Sequence, residues 1–172
     1  MRSTEEPFQT HAAGARATTA SLVDALYDPH DARVRQTAAY QLGHLGSPGA
    51  VDLLITALND QDQQVCVTAI AALGRLRDSR AAPSLCALLS NSHPCLHPHA
   101  ADALGEIGDR QAVGTLVAAL QRGGHRTRIA AIKALARIGD RRAVEPLVSA
   151  LGDGDPCVRL AAAAALCELG TR

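Results

Sequence analysis

Ala103 to Leu120 reads ALGEIGDRQAVGTLVAAL, and the same stretch recurs 31 residues away on either side. Upstream it is ALGRLRDSRAAPSLCALL from Ala72 to Leu89, and downstream ALARIGDRRAVEPLVSAL from Ala134 to Leu151; looser copies begin at Gln41 and Ala165. The register has no gaps. Leu42, Leu73, Leu104, Leu135 and Leu166 are equally spaced, as are Leu54, Leu85, Leu116 and Leu147. A unit of this length cannot enclose its own apolar face, so successive units must stack and share a continuous core. The repeat therefore predicts a row of units in place of a single closed core.

Within each unit the apolar spacing is helical. Val65, Ala69, Ala72, Leu73 and Leu76 fall at i, i+4, i+7, i+8 and i+11 of Gln63 to Leu76, one buried stripe at 3.6 residues per turn. Asp31, Asp62 and Asp155 stand where this second helix of a pair begins, as N-caps, and Pro156 and Pro94 fit its first position. Gly46, Gly108, Gly139 and Gly170 stand just past its end. Gly43, Gly74 and Gly105, with Ala136 and Cys167 in the same column, lie inside it beside the repeat leucine. A glycine there costs about 1 kcal/mol against alanine, which implies that two helices approach closely. A first helix precedes it, as from Arg110 to Leu120, with Val113, Leu116, Val117 and Leu120 inward. The expectation is an all-α solenoid of five antiparallel helix pairs, with repeats at 18–46, 47–77, 78–108, 109–139 and 140–170. Thr18 or Thr19 caps its first helix, which carries Leu22, Val23 and Leu26. Residues 1–17 have no such period and are expected to form a flexible tail with Phe8 as its anchor.

The unit resembles the HEAT-like repeats of the phycobilin lyase type, whose pattern reads roughly D-x-x-V-R-x-x-A-A-x-A-L-G-x-I-G-D-x-R-A-V-x-x-L, over about residues 20–170. The resemblance implies an α/α superhelix whose second helices line a concave face, a fold shared by lyase subunits, hydroxylases and plain adaptors. Outward positions of the second helices then form rows across the units. One row is Arg33, Gln64, Cys95, Arg126 and Cys157; another is Tyr40, Ala71, Asp102, Lys133 and Ala164; a third is His44, Arg75, Glu106, Arg137 and Glu168. The third alternates in sign from Arg75 onward and reads as a solvated charge ladder. The first two rows are where a partner would bind.

Charge and composition narrow the function. The net charge is zero, which argues against a protein that blankets nucleic acid, although residues 1–121 hold 8 Lys/Arg against 12 Asp/Glu and residues 122–172 hold 9 against 5. Seven of those later cations, Arg122, Arg126, Arg128, Lys133, Arg137, Arg141 and Arg142, cluster within 21 residues from repeat four into the start of repeat five, where Arg128, Arg141 and Arg142 are expected to pair with loop acids. Phe8, Tyr27 and Tyr40 are the only aromatics, which leaves few platforms for bases, sugars or tetrapyrroles. There is no membrane-length apolar run and no secretory leader, so a cytoplasmic protein is expected, with five reduced cysteines.

The sharpest local departure is NSHPCLHPH, Asn91 to His99. Pro98 four residues after Pro94 would remove a hydrogen bond and clash within a helix begun at Pro94, so that helix should start late, near Pro98. The resulting loop holds His93, Cys95 and His97, with His99 just beyond. Imidazole and thiolate suit zinc or copper, but H-x-C-x-H-x-H is not a structural zinc spacing, and the plainer reading is a variant loop with incidental ligands. Cys95 with His93 is a further candidate for thiol chemistry. His97 also takes the column of Arg35, Arg128 and Arg159.

The family resemblance brings two enzymes into view. Deoxyhypusine hydroxylase binds two irons through His-Glu dipeptides, whereas the corresponding places here read His99-Ala100 and His44-Leu45. For a bilin lyase, Arg126, Lys133 and Arg137 could meet propionates and Tyr40 could stack, with His93-Pro94-Cys95 a loose echo of the family's His-Cys stretch. The first expectation is a non-enzymatic scaffold without cofactor that binds another protein on its concave face; a lyase or lyase-isomerase subunit is the alternative. The apolar last helix, with Leu160 to Leu166 reading LAAAAAL, further suggests docking of a partner or a second copy at that end.

Overall fold

Asp31 opens α2 (Ala32–Leu45) by accepting from Arg33 N, and Asp62 opens α4 (Gln63–Leu76) by accepting from Gln64 N and Val65 N. Asp155 does the same for Cys157 N at the start of α10 (Pro156–Gly170). These carboxylates satisfy amides that the first helical turn leaves without partners. The computed structural model describes residues 19–47, 49–90 and 93–170. The tail at 1–17 and the Thr18 cap lie outside them; Thr19 is already helical in α1, residues 19–26.

The remaining elements are α3 (Ala50–Ala57), α5 (Ala82–Leu89), α6 (His97–Ile107), α7 (Val113–Arg122), α8 (His125–Ile138) and α9 (Val144–Ala150). Among the described residues there is no strand. The second helices α2, α4, α6, α8 and α10 pack each on the next, and α3, α5, α7 and α9 each pack against the following second helix. Leu42, Leu73, Leu104 and Leu135 are fully buried, and so are Leu54, Leu85, Leu116 and Leu147. The two leucine columns are thus the inner lining of one core that runs through all the repeats.

Several boundaries differ from expectation, each for a local reason. Arg110 to Leu120 is not one helix: Arg110–Ala112 is a 3-10 turn, and the α-helix begins at Val113. Asp109 accepts from Gln111 N and tightens the entry, and Asp78 and Asp140 do the same at Ser79–Ala81 and Arg141–Ala143. Gly46, Gly108 and Gly139 take the left-handed conformation with φ of 61°, 77° and 70°. Gly170 does not; it is the last residue of α10. Repeat two ends instead on Arg77, the one non-glycine residue at positive φ (53°) among those described. Pro94 precedes its helix, which starts at His97 with Pro98 in the first turn, as the double proline demands.

The glycine column sets the distance between second helices. A Cβ on Gly43 would lie 2.5 Å from Ala72 Cβ, one on Gly74 3.0 Å from Ala103 Cα, and one on Gly105 2.7 Å from Ala134 Cα. Each of these three joints therefore seats a glycine of one repeat on an alanine of the next, while the joint of α8 with α10 has Ala136 in that column.

Candidate functional site

The helical stripe that buries Val65, Ala69, Ala72 and Leu73 also takes in Cys66 and Ile70, and Val67 and Thr68 are half-buried at the joints. That leaves Gln64, Ala71 and Arg75 as the exposed line of α4. The same geometry exposes Arg33, Tyr40 and His44 on α2, and Arg126, Lys133 and Arg137 on α8, while Asp102 of α6 is half-buried. Tyr40, Ala71, Asp102 and Lys133 thus stand at equivalent positions of successive second helices, whereas Cys95 of the first row lies before α6 begins. Over α6 lies a groove of about 1060 Å³ lined by His99, Asp102 and Glu106 of α6, by Arg75 of α4 and Arg77 just past its end, and by Arg137 of α8.

The third row is not a simple ladder. Arg75 turns away from Glu106 toward α2, where its Nη1 lies 3.2 Å from His44 Nε2 and its guanidinium carbon 5.7 Å from the Tyr40 ring centre. Arg75 Nη1 is also 3.1 Å from His44 Nδ1 and so lies against the imidazole ring; His44 Nδ1 is 2.9 Å from the Tyr40 carbonyl, which can only accept, so Nδ1 donates there. The Tyr40 and His44 rings are 4.1 Å apart. Glu106 lies back over Gly74, its Oε2 only 2.8 Å from where a Cβ would stand, and Arg137 likewise passes Gly105. The missing side chains that let the helices meet also make slots for the next repeat's charged side chain.

Loop acids are satisfied separately. Arg35, 6% exposed, holds Asp60 through two hydrogen bonds of 2.7 and 2.9 Å and donates to the Asp28 carbonyl at 2.9 Å. The Arg35 guanidinium holds the Asp60 carboxyl below the usual carboxylate range against the opposing pull of burial. Arg128 repeats the pairing with Asp153, also 25 residues on, at 3.3 Å. Arg142 pairs with Asp140 at 2.8 Å and donates to the Arg110 carbonyl of the preceding repeat. This cross-loop partnership is only half legible in the sequence: the arginine column stands out, but its acid is fixed by loop geometry and not by a local motif.

The four candidate metal ligands are not brought together. His93 and Cys95 border a hollow of about 510 Å³ with Asp60, Cys66 and Leu96. His97 borders another, of about 340 Å³, with Thr115, Arg122 and Thr127, and His99 faces the groove. Two residues along a helix rotate by about 200°, so a helix begun at His97 sends His97 and His99 to opposite sides. Among the described residues no three His, Cys, Asp or Glu converge to hold a metal ion. Cys66 is buried and donates to the Asp60 carbonyl at 3.1 Å; burial pushes its thiol up, away from thiolate chemistry. All five cysteines are free thiols. Among the described residues no helix is long and apolar enough to cross a membrane.

Helix pairs on a fixed period, joined through glycine and alanine and varied only on their outer lines, define an α-solenoid, a fold that builds extended binding surfaces from small units. The particular family follows from its own repeat pattern: the model for HEAT repeats matches residues 19–96 and 87–167, and the chain belongs to that family. Among solved structures it is similar to the complex of CpcE and CpcF of phycocyanin lyase from Nostoc sp. PCC7120, at 26% identity and a TM-score of 0.75. That match covers 90% of this chain and 65% of the other, so the chain spans just under two thirds of its neighbour's length. It is also similar to a designed armadillo repeat protein in complex with the peptide (KR)4, at 20% identity, a TM-score of 0.66, and coverage of 94% and 85%. Human deoxyhypusine hydroxylase in complex with glycerol aligns at 16% identity and a TM-score of 0.51, over 98% and 92% of the two chains. These last two likenesses concern the fold alone. No curated protein matches the sequence.

Proposed function

We propose that this protein is a non-enzymatic interaction module that binds a partner protein along the concave face of its second helices. The observation that carries the reading is the groove floored by α6: it is open to solvent and lined by charged side chains from three successive repeats. Such a surface suits a polypeptide better than a small substrate, which binds in an enclosed and largely apolar pocket. Two of the structural neighbours are themselves complexes with another protein or with a peptide, which supports a protein ligand. Affinity capture through the N-terminus from the native host, with mass spectrometry and an absorbance spectrum, tests the reading. A stoichiometric colourless protein, lost on Asp102→Lys with Lys133→Glu, is the expected result. Capture that is indifferent to these changes would refute it.

A second reading, a subunit that handles a bilin and its acceptor protein, rests on the 26% identical likeness to the phycocyanin lyase complex. Arg126, Lys133 and Arg137 would then face propionates, and Tyr40 with His44 would offer a pair of neighbouring rings. A visible chromophore in the captured material would favour it over the first.

A further inference from the structure

We propose that α10 docks antiparallel on the α10 of a second copy of this chain, closing a two-fold dimer through the exposed face of Leu160, Ala163, Ala164 and Cys167. The inference stands apart from the groove and from whatever binds there.

The first four repeats each hide one side of their helix pair against the repeat that follows. Ala39, Ile70, Ala101 and Ile132 form one column of that hidden side and are fully buried; the next member, Ala163, is exposed. Leu58, Leu89 and Leu120 are buried, Leu120 at 5% exposure, whereas Leu151 in the same column is 41% exposed. Val51, Ala82 and Val113 are buried, and Val144 after them is 40% exposed. On α10, Leu160 follows the half-buried Val67, Pro98 and Ile129, and Cys167 follows the buried Gly105 and Ala136; both are exposed. The open side of α9 and α10 is thus built from the residue types that earlier repeats bury, and it continues the joint surface of the array.

The pattern on α10 is its own complement. At about 100° per residue, Leu160, Ala163, Ala164 and Cys167 share the side of the helix opposite the buried Val158, Ala162 and Ala165, and Arg159 and Glu168 only flank it. Arg159 turns back to its own loop, donating to the carbonyls of Asp153 and Gly154. Read from either end, the stripe runs large, small, small, large at i, i+3, i+4 and i+7. An antiparallel copy centred between Ala163 and Ala164 sets each Leu160 beside the other copy's Cys167, and the alanines let the two backbones approach. Residues 140–172 hold 4 Arg against 5 Asp/Glu, so two such ends carry little mutual repulsion. A head-to-tail stack fits poorly. Gly43, Gly74 and Gly105 press on Ala72, Ala103 and Ala134 with no room for larger side chains, and the free counterparts of those two columns are Cys167 on α10 and Gln41 on α2. A self-matching contact closes at two copies, where a head-to-tail one runs on as a filament.

Sedimentation equilibrium of the full chain over a wide range of concentration should give a mass that rises from 17.9 kDa to twice that value and no higher. Leu160→Glu should weaken the dimer by about a hundredfold, because a symmetric contact suffers the change twice, while its circular dichroism in dilute solution stays that of the parent. Crosslinking fixes the register. With the exposed Cys95 and Cys157 replaced by serine, Leu160→Cys under oxidised glutathione should give a covalent dimer through the native Cys167. Adding Cys167→Ser should abolish that product, since the two residues at position 160 stand about 10 Å apart along the seam, beyond disulfide reach. A monomer at every concentration, growth beyond two copies, or a dimer indifferent to Leu160→Glu each overturns the inference. So does an absence of crosslinking with Leu160→Cys, or crosslinking that survives Cys167→Ser.

Discussion

Gly105→Ala is the most informative single substitution in this fold, because two large effects oppose each other at one carbon atom. Helix propensity alone favours alanine over glycine by about 1 kcal/mol. Against it, the new Cβ would lie 2.7 Å from Ala134 Cα and 2.9 Å from Ala134 Cβ. Carbon atoms rest about 3.5–4.0 Å apart, so α6 and α8 must separate by about 1 Å, and a gap of that size forfeits roughly a quarter to a half of the dispersion attraction along the joint. Overpacking of this kind costs about 1–3 kcal/mol, and the obstructing atom is backbone, which cannot rotate away. Gly114→Ala is the control: Gly114 is exposed on α7 with nothing within 4 Å of its Cβ position. Urea melts followed by helical circular dichroism should show Gly114→Ala stabilised by about 0.5–1 kcal/mol and Gly105→Ala about 1–3 kcal/mol below that control. If the two alanines stabilise equally, the glycine column does not set the helix spacing and the close-packing account is wrong. Ala134→Gly should rescue Gly105→Ala only in part, since the new methyl would still press on the backbone of residue 134.

Other perturbations address single features. The pKa of Asp60 is lowered in the fold by Arg35, so its contribution is complete above the unfolded value of about 4 and is lost as pH falls through the folded value; Arg35→Met should lower the melting temperature at pH 7 and flatten its dependence below about pH 4, read by calorimetry. Arg77→Gly should raise stability by about 0.5–1 kcal/mol, because arginine at φ 53° bears a left-handed penalty that glycine escapes; an unchanged melt would show that the strain is absent. Leu160 is 73% exposed on α10, so Leu160→Glu should shift stability by less than about 0.5 kcal/mol. Any self-association through that helix would appear as a fall in mass by light scattering on the same change.

Much of the architecture is legible in the sequence because its signals are local and recur at fixed spacing. Asp62 caps its helix, Leu104 and Leu116 are buried, Gly74 marks a joint and Pro98 delays α6, each from a motif a few residues long. What escapes a sequence reading depends on where side chains end up after stacking. His97 and His99 look like one cluster in sequence and face different hollows in space. Arg75 could as well have paired with Glu106 as with His44, and only the packed α2 surface decides between them. The rows of exposed residues are visible in the repeat, but the groove itself, built from three repeats with α6 as its floor, is not.

The glycine-on-alanine joint has a consequence for how such a gene can change. Gly43 meets Ala72, Gly74 meets Ala103 and Gly105 meets Ala134, so these downstream faces are made to fit one another's upstream neighbours. Excision or duplication of one unit's worth of codons inside the array would bring together the same two small residues and reseal the stack. Outward positions that no joint uses, such as Gln64 and Lys133, are then free to be rewritten codon by codon. Inheritance of the fold and innovation at the surface are carried by different letters of the same repeat.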